Sequence, residues 1–165
     1  QYKNINTALS ALKKIKSINL NKRNVLNGIK NVIKNTNLIG RWQIVKTQPK
    51  VIYDVAHNID SLELVFNQIK NTKGKIRIVF GTLDKTDQLD CLKIFPKKHE
   101  YYFCAPKTKR AMSLNKLCKK AKELKINFSS HSSVKKAYHT AFMNSKNDDT
   151  VLVTGSTYLF SEINN

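Results

Sequence analysis

The chain has 165 residues, 41% of them hydrophobic, which is enough for one domain with a real core and a piece of a second. No apolar run approaches the roughly 20 residues of a membrane helix. The opening Gln1-Tyr2-Lys3-Asn4 has no apolar signal core, so a cytoplasmic protein without a membrane partner is expected. The formal charge is +19, from 30 Lys and Arg against 11 Asp and Glu, and it raises nucleic-acid binding as a class.

The pattern of that charge argues against the class. Only Arg23, Arg41, Arg77 and Arg110 are arginines; the rest is Lys spread along the whole chain, beside abundant Asn. Joint Lys and Asn enrichment is the mark of codon bias in an AT-rich genome. No basic block interleaves with aromatics that would stack bases, so Lys reads as solvated surface and no specific nucleic acid is expected. Cys91, Cys104 and Cys118 are far apart, without CxxC or Cys/His metal spacing, and read as free thiols in a reducing compartment. The chain lacks an initiator Met and is expected to begin inside a longer protein.

In chain order, residues 4–36 read as two helices. Ala8, Leu9, Ala11, Leu12 and Ile15 recur at helical spacing, as do Val25, Leu26, Ile29, Val32 and Ile33, with the polar turn Asn19-Leu20-Asn21-Lys22 between them. Ile39-Gly40 breaks the pattern. From Pro49 strands and helices alternate. Strands are expected at 51–55, 76–80, 101–105, 126–128 and 151–154. Helices are expected at 61–71, 88–95, 114–124, 134–144 and 158–162. Asp60-x-x-Glu63 looks like a helix start, Pro96 stops the second of these helices, and Ser113 and Ser132 or Ser133 are candidate caps. Such alternation predicts right-handed βαβ units and a mostly parallel, Rossmann-like sheet with helices on both faces.

Polar residues gather after the strands. Asp54 to Asn58 follow the first, Gly81-Thr82-Leu83-Asp84-Lys85 the second, Ala105-Pro106 with Arg110 the third, and Gly155-Ser156-Thr157 the last. These turns share one sheet edge, the carboxyl edge, where open α/β sheets bind ligands. No GxGxxG and no P-loop is present. Taken singly, His57 is a candidate helix cap, Asp84-Lys85 an ordinary turn pair, and Gly155-Ser156-Thr157 plain turn chemistry. Against that, a fixed ammonium at Lys85 suits a carboxylate or phosphate, and the last turn opens a short helix whose first amides favour an anion.

The series Asn4-Ile5-Asn6-Thr7-Ala8-Leu9, Gly40-Arg41-Trp42-Gln43, Asp54-Val55-Ala56-His57-Asn58, Gly81-Thr82-Leu83-Asp84-Lys85 and Gly155-Ser156-Thr157-Tyr158-Leu159 resembles the C-terminal part of folylpolyglutamate synthase/dihydrofolate synthase, in the Mur ligase superfamily. The resemblance covers nearly the whole chain, with little signal in 107–150. Val55 stands where family members commonly have Gly. The resemblance implies three parts: residues 1–39 as the last helices of a central ATPase domain, 40–48 as a linker, and 49–165 as the C-terminal domain. It also implies a chemistry. ATP phosphorylates the carboxylate of dihydropteroate or a folate, glutamate's amine attacks the acyl phosphate, and an amide and phosphate result.

By the same resemblance, Arg41 and His57 act in catalysis, and Asn4, Arg41 and Asp54 bind ATP. Asn4 would approach the adenine, Arg41 the terminal phosphates, and Asp54 the ribose or the nucleotide's orientation. His57 would lie beside the phosphate and the incoming amino acid, with Lys85 and Ser156 on glutamate. The phosphate loop and Mg2+ ligands are expected in the central domain outside this chain, and the full-length enzyme is expected to be a monomer. The chain alone is therefore expected to be inactive. The alternatives are another Mur-superfamily amino-acid ligase, of which a cell-wall precursor ligase would be expected to show a DxYAHxP-type turn, and a non-enzymatic binding module. A receiver-like module would need a paired acid cluster, whereas Asp54 and Asp84 follow different strands.

Overall fold

The computed structural model describes residues 2–17 and 20–164, in two compact units, Gln1–Leu38 and Ile39–Asn165. The first unit holds three helices, α1 (Tyr2–Lys13), α2 (Lys22–Lys30) and α3 (Val32–Thr36). The expected second helix is thus divided. Asn31, at φ −104°, caps α2 through its amide to the Asn27 and Ile29 carbonyls, and the chain restarts as α3. Asn21 caps the start of α2, its Oδ1 accepting the Asn24 amide at 2.8 Å; Asn19 of the expected turn lies outside the described residues. None of the three helices buries a residue, and Leu26, Ile29, Val32 and Ile33 are exposed.

The second unit is a six-stranded sheet: β1 (Gln43–Thr47), β2 (Lys50–Asp54), β3 (Ile76–Phe80), β4 (Glu100–Phe103), β5 (Phe128–Ser130) and β6 (Thr150–Thr154). Its order is β1-β2-β6-β3-β4-β5, with β1 antiparallel and every other pair parallel. The α/β fold read from the sequence is the fold observed. β1 is an addition: the expected linker 40–48 carries an edge strand that turns at Gln48-Pro49 and pairs back on β2, with a bulge between Ile44 and Lys46. Gln43-Ile44-Val45 has strand propensity, but β1 leaves Ile44 and Val45 exposed, so no clean alternation announced it.

Strand pleating sorts the core into two layers. Ile52, Ile78, Phe80, Tyr101, Phe103 and Leu152 face α4 (Ile59–Ile69), the turn helix Gln88–Ile94 and α5 (Leu114–Glu123). Val51, Tyr53, Val79, Tyr102, Val151 and Val153 face α6 (Val134–Met143) and α7 (Tyr158–Asn164). The segment 88–94 is 3-10 rather than α, and Phe95 ends it in extended conformation just before Pro96. Ser113 and Ser133 cap α5 and α6 as expected. The helix start read at Asp60 lies two residues earlier. Asn58 is the N-cap, in a reciprocal box with Ser61, and Asp60 sits in the first turn.

The amino edge of the sheet is held by a buried ion cluster. Asp149 takes the Lys75 amide at 2.7 Å, the Lys146 amide at 2.8 Å and Arg77 Nη1 at 2.6 Å. Arg77 is 5% exposed, and its Nε lies 3.1 Å from Glu100 without a hydrogen-bonding approach. Counting arginines along the sequence gave no sign that this one is interior.

Candidate functional site

β6 enters the sheet between β2 and β3, so the chain leaves the carboxyl ends of these three neighbours toward different helices. A crevice opens at such a switch point. Here it is a cleft of about 170 Å³ lined by residues that include His57, Thr82, Lys85, Gln88, Ser156 and Thr157. Its floor is main chain. The Gly155 amide donates to the Ala56 carbonyl at 2.9 Å, and Thr154 Oγ1 donates to the same oxygen at 3.0 Å. Gly155 has φ +110°, and a Cβ there would lie 2.5 Å from the Gly81 carbonyl oxygen and 2.8 Å from the Phe80 ring. Only glycine lets β6 end this close to β3.

His57 is the most tightly specified residue of the cleft. Its amide donates to Ser61 Oγ at 3.1 Å, and its carbonyl accepts from Gln88 Nε2 at 2.7 Å. Ring Nδ1 lies 2.9 Å from the Val55 carbonyl. A carbonyl can only accept, so Nδ1 carries a proton, and in the neutral ring Nε2 is left with the lone pair. Ser61 explains the rigidity: it belongs to the cap of α4, so the start of that helix and the placement of His57 are one hydrogen-bonded unit. The helix cap is thus Asn58, and the ring of His57 is left available.

Lys85 and Asp84 part company. Asp84 Oδ2 pairs with Lys116 at 2.7 Å and the Asp84 amide donates to the Arg110 carbonyl, whereas exposed Lys85 has no ion-pair partner among the described residues. Ser156 is 6% exposed, with Oγ accepting the Tyr158 amide at 3.3 Å. The Leu159 and Phe160 amides likewise donate back to the Ser156 and Thr157 carbonyls. The first amides of α7 are thus occupied by their own turn, not turned to an anion. Arg110 is exposed and does not line the cleft.

Asp54 ends β2 on the same edge but outside the cleft lining. The residue is 8% exposed and its carboxylate faces the chain: Oδ2 accepts the Trp42 amide at 2.8 Å and Oδ1 the Ala56 amide at 2.9 Å. It thereby holds the Gly40-Arg41-Trp42 turn, in which Trp42 has the left-handed φ of 49° and Gly40 has φ 75°. A Cβ on Gly40 would strike Val55 Cγ1 at 2.6 Å and Phe160 at 2.4 Å, and the Val55 amide donates to the Gly40 carbonyl at 2.8 Å. Val55 is buried with negative φ, so the departure from Gly at that position costs no backbone strain. Arg41 is exposed on this turn. The structure thus gathers His57, Lys85 and Ser156 in one cleft, and places Asp54 at the end of β2, where it holds the turn that carries Arg41. Asn4 is exposed on α1, in the other unit.

Two lining residues were missed in the sequence. Thr82, 2% exposed, was hidden inside the GTLDK motif, and Gln88, 7% exposed, read only as the start of a helix. A Gln placed just before Leu89, Cys91 and Leu92 was the available signal. The buried thiols near the site do not add a nucleophile. Burial pushes Cys91 up, and burial with the Glu162 charge takes Cys104 to about 12, so neither is a thiolate at neutral pH.

A mostly parallel sheet with a switch-point cleft on its carboxyl edge is an open α/β domain of the kind that binds ligands at that edge. The family model described as "Mur ligase, glutamate ligase domain" matches residues 40–157, and the chain belongs to that family. It is 31% identical over 163 residues to the Escherichia coli dihydrofolate synthase/folylpolyglutamate synthase, covering 97% of this chain and 36% of that protein. Among solved structures it is similar to E. coli FolC in complex with DHPP and ADP, at TM-score 0.78 and 31% identity over 97% of this chain and 37% of that one. The Yersinia pestis bifunctional folylpolyglutamate synthase/dihydrofolate synthase complexed with AMPPNP and Mn gives TM-score 0.75 at 28% identity, over 95% of this chain and 37% of that one. The chain thus spans little more than a third of the length of these relatives.

Proposed function

We propose that this chain is the C-terminal part of an ATP-dependent ligase that joins glutamate to dihydropteroate or a folate through an acyl phosphate. The observation that supports it best is the match to the FolC structure with DHPP and ADP along 97% of the chain. A solved structure of a bifunctional folylpolyglutamate synthase/dihydrofolate synthase, 27% identical to this chain, is described with Mn, AMPPNP and L-glutamate bound, which accords with these substrates.

In this reading the Gly40–Trp42 turn presents the Arg41 guanidinium to the terminal phosphates, where charge develops on transfer. Asp54 serves the nucleotide through the turn that it fixes, because both of its oxygens are already engaged by main-chain amides. Asn4 keeps its proposed contact with adenine. Lys85 and the Ser156 hydroxyl meet glutamate carboxylate. The free Nε2 of His57 faces the incoming amine, whose ammonium must lose a proton before it attacks. Among the described residues no three His, Cys, Asp or Glu side chains converge as a metal site, and in this reading the Mg2+ that the family implies is held by the central domain.

The test is phosphate release by the longer protein encoded with its upstream codons. Release should require ATP, glutamate and either dihydropteroate or a folate, and should fall at least a hundredfold in Arg41→Ala. Turnover without glutamate, or full folate- and glutamate-dependent turnover by the 165-residue chain alone, would sink the proposal.

A further inference from the structure

The geometry points to Gln88 as a positioning residue that couples the His57 turn to the Lys85 loop. The inference leans on the proposed function only for the roles of His57 and Lys85; the coupling is a property of this chain.

Gln88 is 7% exposed and opens the turn helix Gln88–Ile94. Its amide donates to the Lys85 carbonyl at 3.2 Å, closing the turn 85–88. Its side-chain Nε2 donates to the His57 carbonyl at 2.7 Å and lies 3.6 Å from Cys91 Sγ. One residue therefore bonds both loops, across 31 residues of sequence. Because a carbonyl demands a donor, the amide orientation is fixed, and Oε1 is left without a partner among the described residues, on a residue that lines the cleft. The approach is made possible by Asp87, which precedes Gln88 at the left-handed φ of 59°. Asp tolerates that conformation better than most residues.

The consequence is specific. The backbone of His57 is clamped by Ser61 on its amide and Gln88 on its carbonyl, and the Nδ1 bond to Val55 fixes the ring. Releasing the carbonyl frees the peptide after His57 to rotate, and with it the angle at which Nδ1 meets Val55. A buried Gln filling space alone would have no effect on which ring nitrogen carries the proton.

The experiment is NMR on the 165-residue chain, uniformly labelled with 15N, comparing wild type, Gln88→Met and Ser61→Ala. Met keeps the volume and removes the donor. The chain has four histidines, and His57→Gln identifies the ring signals of His57 by their loss. Wild type should show His57 protonated at Nδ1 with an unprotonated Nε2. Gln88→Met should move this population toward the Nε2–H tautomer, shift the Lys85 amide, and speed exchange of the His57 amide about tenfold. Ser61→Ala should loosen His57 while leaving Lys85 unmoved. If Gln88→Met does not fold, Gln88→Asn, one carbon short of the His57 carbonyl, gives the same readout. A folded variant with unchanged His57 ring nitrogens and an unchanged Lys85 amide overturns the coupling, whatever becomes of the ligase proposal.

Discussion

Asp54→Asn should release the Gly40–Trp42 turn before the rest of the fold. The carboxylate makes two charge-assisted bonds, at 2.8 Å to the Trp42 amide and 2.9 Å to the Ala56 amide. Each such bond contributes about 1.5–3 kcal/mol. Asn supplies one acceptor oxygen, so one amide must face an NH2 group. The Ala56 bond is local, two residues away, and is the one expected to survive; the Trp42 amide then loses its acceptor. Trp42 sits at φ 49°, which costs a non-glycine residue about 1–2 kcal/mol, so losing the bond roughly cancels what held the turn closed. The open turn should become well populated, and global stability should fall by about 2–3 kcal/mol. Trp42 is the chain's one tryptophan, half-buried against the core, and reports on this turn directly. Its emission should be red-shifted and more readily quenched by acrylamide without denaturant, while far-ultraviolet circular dichroism stays native. A variant with unchanged emission, unchanged quenching and an unchanged urea midpoint would refute the view that Asp54 holds the turn.

Two glycines should respond oppositely to alanine. Gly155→Ala, which drives a Cβ against the Gly81 carbonyl and the Phe80 ring, should cost about 3 kcal/mol or more; Gly28→Ala in α2, with nothing within 4 Å, should stabilise its helix by about 0.5–1 kcal/mol. Thermal and urea melts of both variants decide it. Stability should also fall with acid in a defined window. Burial, aided by Lys98, takes His99 down from 6.5 to about 4, so the unfolded chain binds the proton first and stability drops as pH falls from about 6.5 to 4. Below that range Asp149 adds its own loss. Burial would raise its carboxyl, but the Lys146 and Lys75 amides and Arg77 together hold it below the usual range. Urea midpoints from pH 7 to 4 should slope in wild type and slope less steeply in His99→Gln, the remainder coming from His131, which burial also holds down; equal slopes would remove His99 as a cause. Binding to single- or double-stranded oligonucleotides should be weak, indifferent to sequence and lost at physiological salt, as expected of dispersed Lys without aromatic platforms. Tight binding with a strand preference would show a nucleic-acid module instead.

Much of the framework was legible from residue order. Near-continuous apolar runs at Val51–Val55, Ile76–Phe80 and Val151–Thr154 mark strands buried on both faces, and the helical runs between them require parallel crossovers. Their polar ends, at His57, Lys85 and Ser156, must then share one edge. Less was legible where the deciding contact is distant in sequence. β1 reads as a linker because an exposed edge strand needs no hydrophobic alternation, and only its pairing with β2 makes it a strand. The break at Asn31 is set by backbone geometry that helical spacing does not encode.

The site divides along the same line. Sequence placed its residues on the edge because strand ends are a local property. Tertiary structure decided which way each side chain turns. Asp54 turns inward to accept the amides of Trp42 and Ala56, and Asp84 is taken up by Lys116, which leaves Lys85 without a counterion among the described residues. Gln88 acquires a role only when the chain reversal at Asp87 brings it beneath a carbonyl 31 residues earlier. Hydrogen bonds are directional and short-ranged, so composition and periodicity can bring such groups to one neighbourhood, but the folded backbone selects their partners.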